Sequence, residues 1–125
     1  MRLADLQFSI REDALVARIL GEIDMSNSEE LRDAIFRSTP NEIRGVVLDV
    51  SDVDYLDSAG IHLIYRLREA LRARGQRLIL AITARSTPAD ALRLAGVMDH
   101  IDLAETVDDA LRTLRAPDST DPELD

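Results

Sequence analysis

An α/β domain with a mixed, mainly parallel sheet and an N-terminal antiparallel hairpin follows from three features of the 125-residue sequence. Two apolar segments near the start are joined by only a few polar residues. Later apolar runs alternate with amphipathic segments. The composition, 46% hydrophobic but 3% aromatic, describes one aliphatic core and not a disordered chain. Strands and helices in alternation, with short links, produce a mainly parallel sheet with right-handed crossovers.

Ala4, Leu6, Phe8 and Ile10 fall on one side of the first segment and Asp5, Gln7 and Ser9 on the other. That period of two is the signature of a half-buried strand. Arg11-Glu12-Asp13 forms a polar turn into a second apolar run, Leu15 to Leu20, and so short a link pairs the two as a hairpin. Ser26 and Glu29 have capping-box spacing, and Leu31, Ala34 and Ile35 supply the stripe of a helix. It stops near Thr39-Pro40, because a residue before proline avoids the helical region. Val46 to Val50 reads as a strand covered on both faces. The stretch that follows, with Asp49, Asp52, Asp54 and Asp57, reads as a polar loop. Ser58 to Arg74 is the best helix, with Ser58 as its N-cap, Ile61, Ile64 and Leu67 toward the core, and Gly75 as a stop. Leu78 to Ile82 is another buried strand. Thr87 caps a short helix with Pro88 in its first position, and Gly96 ends it. A short strand is expected near 101–103, and Thr106 opens a last helix through Leu114. Residues 1–115 then make one domain. Residues 116–125, with two prolines, four acids and no base, make an acidic, disordered tail.

Composition also excludes chemistry. There is no cysteine, so disulfides and thiolate sites are absent. All 15 basic residues are arginine, so no lysine can serve catalysis or phosphate binding. The formal net charge of −9 argues against nucleic acid or an anionic membrane surface and allows a protein partner with a basic face. No signal peptide or membrane-length apolar run is visible, so a cytoplasmic protein without membrane association is expected.

The richest constellation runs from Asp49 to Gly60, past a buried strand and into the longest helix. Carboxyl ends of strands are where open α/β sheets meet ligands and partners. Ser58, at the positive end of a helix dipole, is a place where a phosphate is tolerated. A phospho-acceptor aspartate is disfavoured by the missing lysine, and a calcium loop by the missing glycine and distal glutamate. Ser58 and His62, four apart, imitate part of a hydrolase triad, but no G-x-S-x-G elbow accompanies them. His100 reads as structural, and the isolated glycines form no nucleotide loop. Neither a metal nor a cofactor is expected.

With those residues in view, the sequence resembles a known family. Asp57-Ser58-Ala59-Gly60-Ile61, after Gly45-Val46-Val47-Leu48-Asp49-Val50, looks like the phosphorylation motif of bacterial anti-sigma factor antagonists, which are STAS domains. Gly21-Glu22-Ile23-Asp24 resembles the family's G-E-L-D turn, and Ala95-Gly96-Val97 and Thr106-Val107-Asp108-Asp109-Ala110-Leu111 its final third. The resemblance implies helices packed largely on one side of the sheet. It implies no enzyme activity but binding to an anti-sigma factor that is a serine kinase, release of a sigma factor, phosphorylation of Ser58, and reset by a serine phosphatase. The resemblance places Ser58 with Glu22, Asp24 and Asp57 at the partner-binding site; because Ile61, Ile64 and Leu67 are needed for the core, the free side of the helix is expected to add His62 and Tyr65, and the Glu22–Asn27 turn to add Asn27. His62 departs from the small residue many members carry there. The alternatives are a non-switching STAS subunit of a stress-signalling or transport complex and a nucleotide-binding module.

Overall fold

The computed structural model describes residues 4–116. The acidic tail expected beyond Ala116 lies outside the described residues. The chain runs β1 (Ala4–Arg11), β2 (Ala14–Ile23), α1 (Ser28–Arg37), β3 (Gly45–Leu56), α2 (Ser58–Arg72), β4 (Arg77–Ala81), α3 (Thr87–Leu94), a 3₁₀ turn (Val97–Asp99), β5 (Asp102–Ala104) and α4 (Val107–Arg115). The five strands lie in the sheet in chain order. β1 pairs antiparallel with β2, and every later pairing is parallel.

Helices α1, α2 and α3 cover one face. Leu31 and Ile35, then Leu63, Ile64, Leu67 and Leu71, then Ala89 and Leu92 meet Leu15, Ile19, Leu48 and Leu80 of the sheet in one buried cluster. Among the described residues only α4 covers the other face, through Ala110, Leu111 and Leu114 on Val16, Val47 and Ile79. The layering is therefore three helices on one side and one on the other.

Four expectations need correction. The aspartate-rich stretch after Val50 is not a loop: β3 continues to Leu56, because Val53 and Leu56 stay buried while Asp52, Asp54 and Tyr55 face out. Two register shifts against β2 absorb the mismatch. The capping box at Ser26 does not form, since α1 starts at Ser28 and Asn27 occupies the cap position without a side-chain cap bond. The cap of α3 is Ser86, whose hydroxyl accepts from the Ala89 N–H, so Thr87 already lies within the helix. The alternation in β1 forms a strand, but an incompletely covered one. Ala4 is buried, whereas Phe8 is 41% and Ile10 56% exposed, because β1 is an edge strand beyond the reach of the helices.

Candidate functional site

The site forms where β2 and β3 end side by side. Their register places Glu22 opposite Tyr55 and Ile23 opposite Leu56, and the Asp57 N–H donates to the Ile23 carbonyl at 3.4 Å. Two turns therefore leave the sheet as neighbours, one from Asp24 to Asn27 and one at Asp57-Ser58.

The first turn is built by its own polar side chains. Asp24 Oδ1 accepts from the Ser26 N–H at 2.8 Å and from the Ser26 hydroxyl at 2.6 Å. Asn27 Oδ1 accepts from the Asp24 N–H at 3.1 Å, and Asn27 Nδ2 donates to the Glu22 carbonyl at 2.8 Å. Asn27 thus ties the end of β2 to the start of α1, and Asp and Asn are the residues suited to such local bonding. Between these anchors Met25 is 85% exposed.

The second turn corrects the cap of α2. Asp57, in extended conformation, accepts from the Ala59 N–H at 2.8 Å and is the N-cap. Ser58 is the first helical residue, exposed, and its hydroxyl has no hydrogen-bond partner among the described residues. The serine is free because its neighbour does the capping. Gly60 holds this helix end against the sheet: a Cβ there would stand 2.7 Å from Leu56 Cγ and 3.2 Å from Ile23 Cγ2.

Of the residues expected at the site, Glu22, Ser58 and His62 are exposed and Asp24, Asn27 and Asp57 half-buried. Glu22 lies at the end of β2, and the others lie on the two turns or the first turns of α2. Tyr65 is half-buried and packs on the main core. Sequence reasoning missed Met25 and Tyr55. Both are large and exposed beside the acidic turns, and only their position at strand ends, in a chain with 3% aromatics, hinted at Tyr55.

The aspartates do not gather into one ion site. Asp49 accepts from the Ser51 N–H at 3.0 Å, and Asp52 accepts from Arg18 Nε at 2.9 Å. That contact raises the Arg18 guanidinium above its usual pKa, through the hydrogen bond first and the charge of Asp52 second. Among the described residues no group of three or more His, Cys, Asp and Glu could hold a metal ion. His62 makes no hydrogen bond there, so no oriented base serves Ser58. The arrangement presents a free hydroxyl at the amide-rich end of a 15-residue helix, with Asp57 next to it in the chain and Glu22 and Asp24 on the neighbouring strand end and turn. It suits recognition and covalent marking of a side chain.

The chain thus combines a five-stranded sheet, its antiparallel hairpin first, with helices mainly on one face and an exposed serine opening the second helix. The model of the STAS domain matches residues 5–110, and the chain belongs to that family. Among solved structures it is similar to an anti-sigma factor antagonist from Mycobacterium paratuberculosis, at 25% identity and TM-score 0.78, covering 90% of this chain and 95% of that one. The unphosphorylated anti-sigma factor antagonist SpoIIAA shares the fold at 21% identity and TM-score 0.65, covering 90% of this chain and all of that one. A sulfate transporter family protein from Wolinella succinogenes shares it at 17% identity and TM-score 0.66, covering 85% and 88%. No helix among the described residues is long and apolar enough to cross a membrane.

Proposed function

We propose that this chain is a cytoplasmic anti-anti-sigma factor without enzyme activity of its own. Its unmodified form binds an anti-sigma factor that is a serine kinase and frees a sigma factor. Phosphorylation of Ser58 ends that binding, and a serine phosphatase restores it. The observation that carries the reading is the division of labour at the start of α2: Asp57 caps the helix, so the Ser58 hydroxyl is exposed and unengaged at the positive end of the dipole. Family membership and the likeness to the mycobacterial antagonist support it.

The switch follows from charge. A phosphate adds about −1.5 to −2 charges at neutral pH. The helix N-terminus offsets that by roughly 0.3–1 kcal/mol, so the domain keeps its fold. The interface does not survive, because a dianion joins Glu22, Asp24, Asp54 and Asp57 on the face the partner must cover. Unfavourable juxtaposition of charge costs several kcal/mol, and about 1.4 kcal/mol is tenfold in affinity, so losses of tens- to thousandsfold are expected.

The test is to incubate wild type and Ser58→Ala with anti-sigma serine kinases of the same genome and ATP. Phosphate is mapped by mass spectrometry, and affinity is measured before and after. Phosphate on Ser58 alone, loss of binding by the wild type and retained binding by Ser58→Ala are expected. Phosphate elsewhere, or equal binding before and after modification, overturns the proposal.

A further inference from the structure

We infer that the groove between α1 and α2 receives an acidic side chain of the protein that docks on the Ser58 face, which rests on the partner-binding role proposed above. The groove encloses about 200 Å³ and is lined by Glu29 and Arg32 of α1 and by Ala59, His62, Leu63 and Arg66 of α2. It opens beside Ala59, the residue after Ser58. Ser58, His62 and Arg66 are spaced four apart and share one face of the helix.

Two arginines and His62 thus line the groove with one carboxylate, Glu29. Arg32 leans on its neighbour Asp33 at 3.0 Å, but Arg66 and His62 have no hydrogen bond or ion pair among the described residues. In a chain with 24 acidic residues and 15 arginines, most arginines here find a carboxylate. In this groove Arg66 and His62 keep free donors beside Glu29. At about 200 Å³ the groove is smaller than the usual small-molecule site of about 300–1,000 Å³ and suits a side chain. A carboxylate fits best, since an arginine fork offers two parallel donors to it.

The surface around Ser58 is therefore polarised. Acids lie on the turns before the serine, and Arg66 lies about 12 Å further along the helix at 1.5 Å per residue. A partner that matches it presents basic residues to the first zone and a glutamate or aspartate to the second. That pattern fixes the direction in which it docks.

The test uses two probes: the purified serine kinase that binds the wild-type chain, and a ten-residue glutamate peptide. Arg66 is exposed and unpartnered, so Arg66→Glu should fold normally. Its affinity for the kinase should fall ten- to a hundredfold, with Arg66→Ala intermediate, and phosphorylation of Ser58 by excess kinase should persist. Reversing one acidic residue of the kinase to arginine should restore binding to Arg66→Glu. Affinity within twofold of wild type for both Arg66→Glu and Arg32→Glu overturns the groove while leaving the switch intact. If no kinase binds the wild type, the switch fails and the peptide decides. Amide shifts at Glu29, Arg32 and His62 that vanish in Arg66→Glu support the groove. No shifts, or larger ones with inorganic phosphate, overturn it.

Discussion

A methyl group added to Gly60 would stand 2.7 Å from Leu56 Cγ, closer than side-chain carbons pack. The start of α2 thus rests its bare backbone on the Leu56 side chain at the end of β3. Gly60→Ala should push the helix off the sheet and cost about 1–3 kcal/mol. Urea unfolding measures the loss. Phosphorylation of Ser58 in the variant should slow, because the serine shifts with its helix.

Capping and marking can be separated. Asp57→Ala removes the bond to the Ala59 N–H and should cost about 1 kcal/mol, whereas Asp57→Asn keeps most of it. Ser58→Ala, which removes no cap, should stay within about 0.5 kcal/mol of wild type. Thermal melts of the three variants check this. A loss in Ser58→Ala as large as in Asp57→Ala would return the cap to Ser58.

Asn27→Ala should loosen the turn that Met25 rides on. It deletes bonds to the Glu22 carbonyl and from the Asp24 N–H, each worth about 0.5–1.5 kcal/mol. Faster hydrogen exchange of the Ser26 and Asn27 amides, with the rest of the sheet unchanged, is the expected readout.

Met25 and Tyr55 should anchor the partner. Exposed apolar and aromatic groups beside an acidic rim are where binding energy concentrates, and alanine at a hot spot costs more than about 1 kcal/mol. Met25→Ala and Tyr55→Ala should each weaken kinase binding several-fold or more with unchanged melting temperature. Tyr65→Ala should do the opposite, losing stability first, because its ring packs on the core. Calorimetric titration beside melting curves separates the two outcomes.

We propose that residues 117–125 are dispensable. They carry four of the 24 acidic residues and no arginine, so without them the formal charge of −9 becomes −5. Removal should leave melting temperature and partner affinity nearly unchanged, and a large loss of either would show a docked tail.

Much of this fold was legible in the sequence. The hairpin, β3, α2, β4 and α4 follow from periodicity, and Thr106 caps α4 as its spacing suggests, accepting from the Asp109 N–H at 3.0 Å. What was hidden depends on tertiary contact. Asp52 and Asp54 look like loop until β2 supplies a partner whose register slips to keep Val53 and Leu56 inside. Phe8 and Ile10 look like core until no helix arrives to cover the edge. The cap of α2 was off by one, since Asp57 and Ser58 are both good capping residues and only backbone geometry chooses between them. Met25 carried no local signal, as its exposure is set by the turn that Asp24 and Asn27 build.

Strand order in the sheet equals strand order in the chain, and this shapes how the molecule comes into being. Each new strand adds to an edge already made, so a nascent chain has no need to open a gap between finished strands. Synthesis delivers the N-terminal strands first. The hairpin can therefore stand as a template while α1 and β3 emerge, and the Ser58 end of α2 can dock before β5 exists. The last strand is only three residues long, and α4 closes the far face after it. A ribosome-stalled chain in which an added linker carries residues up to Arg85 out of the exit tunnel should already protect the amides of β2 and β3 from exchange.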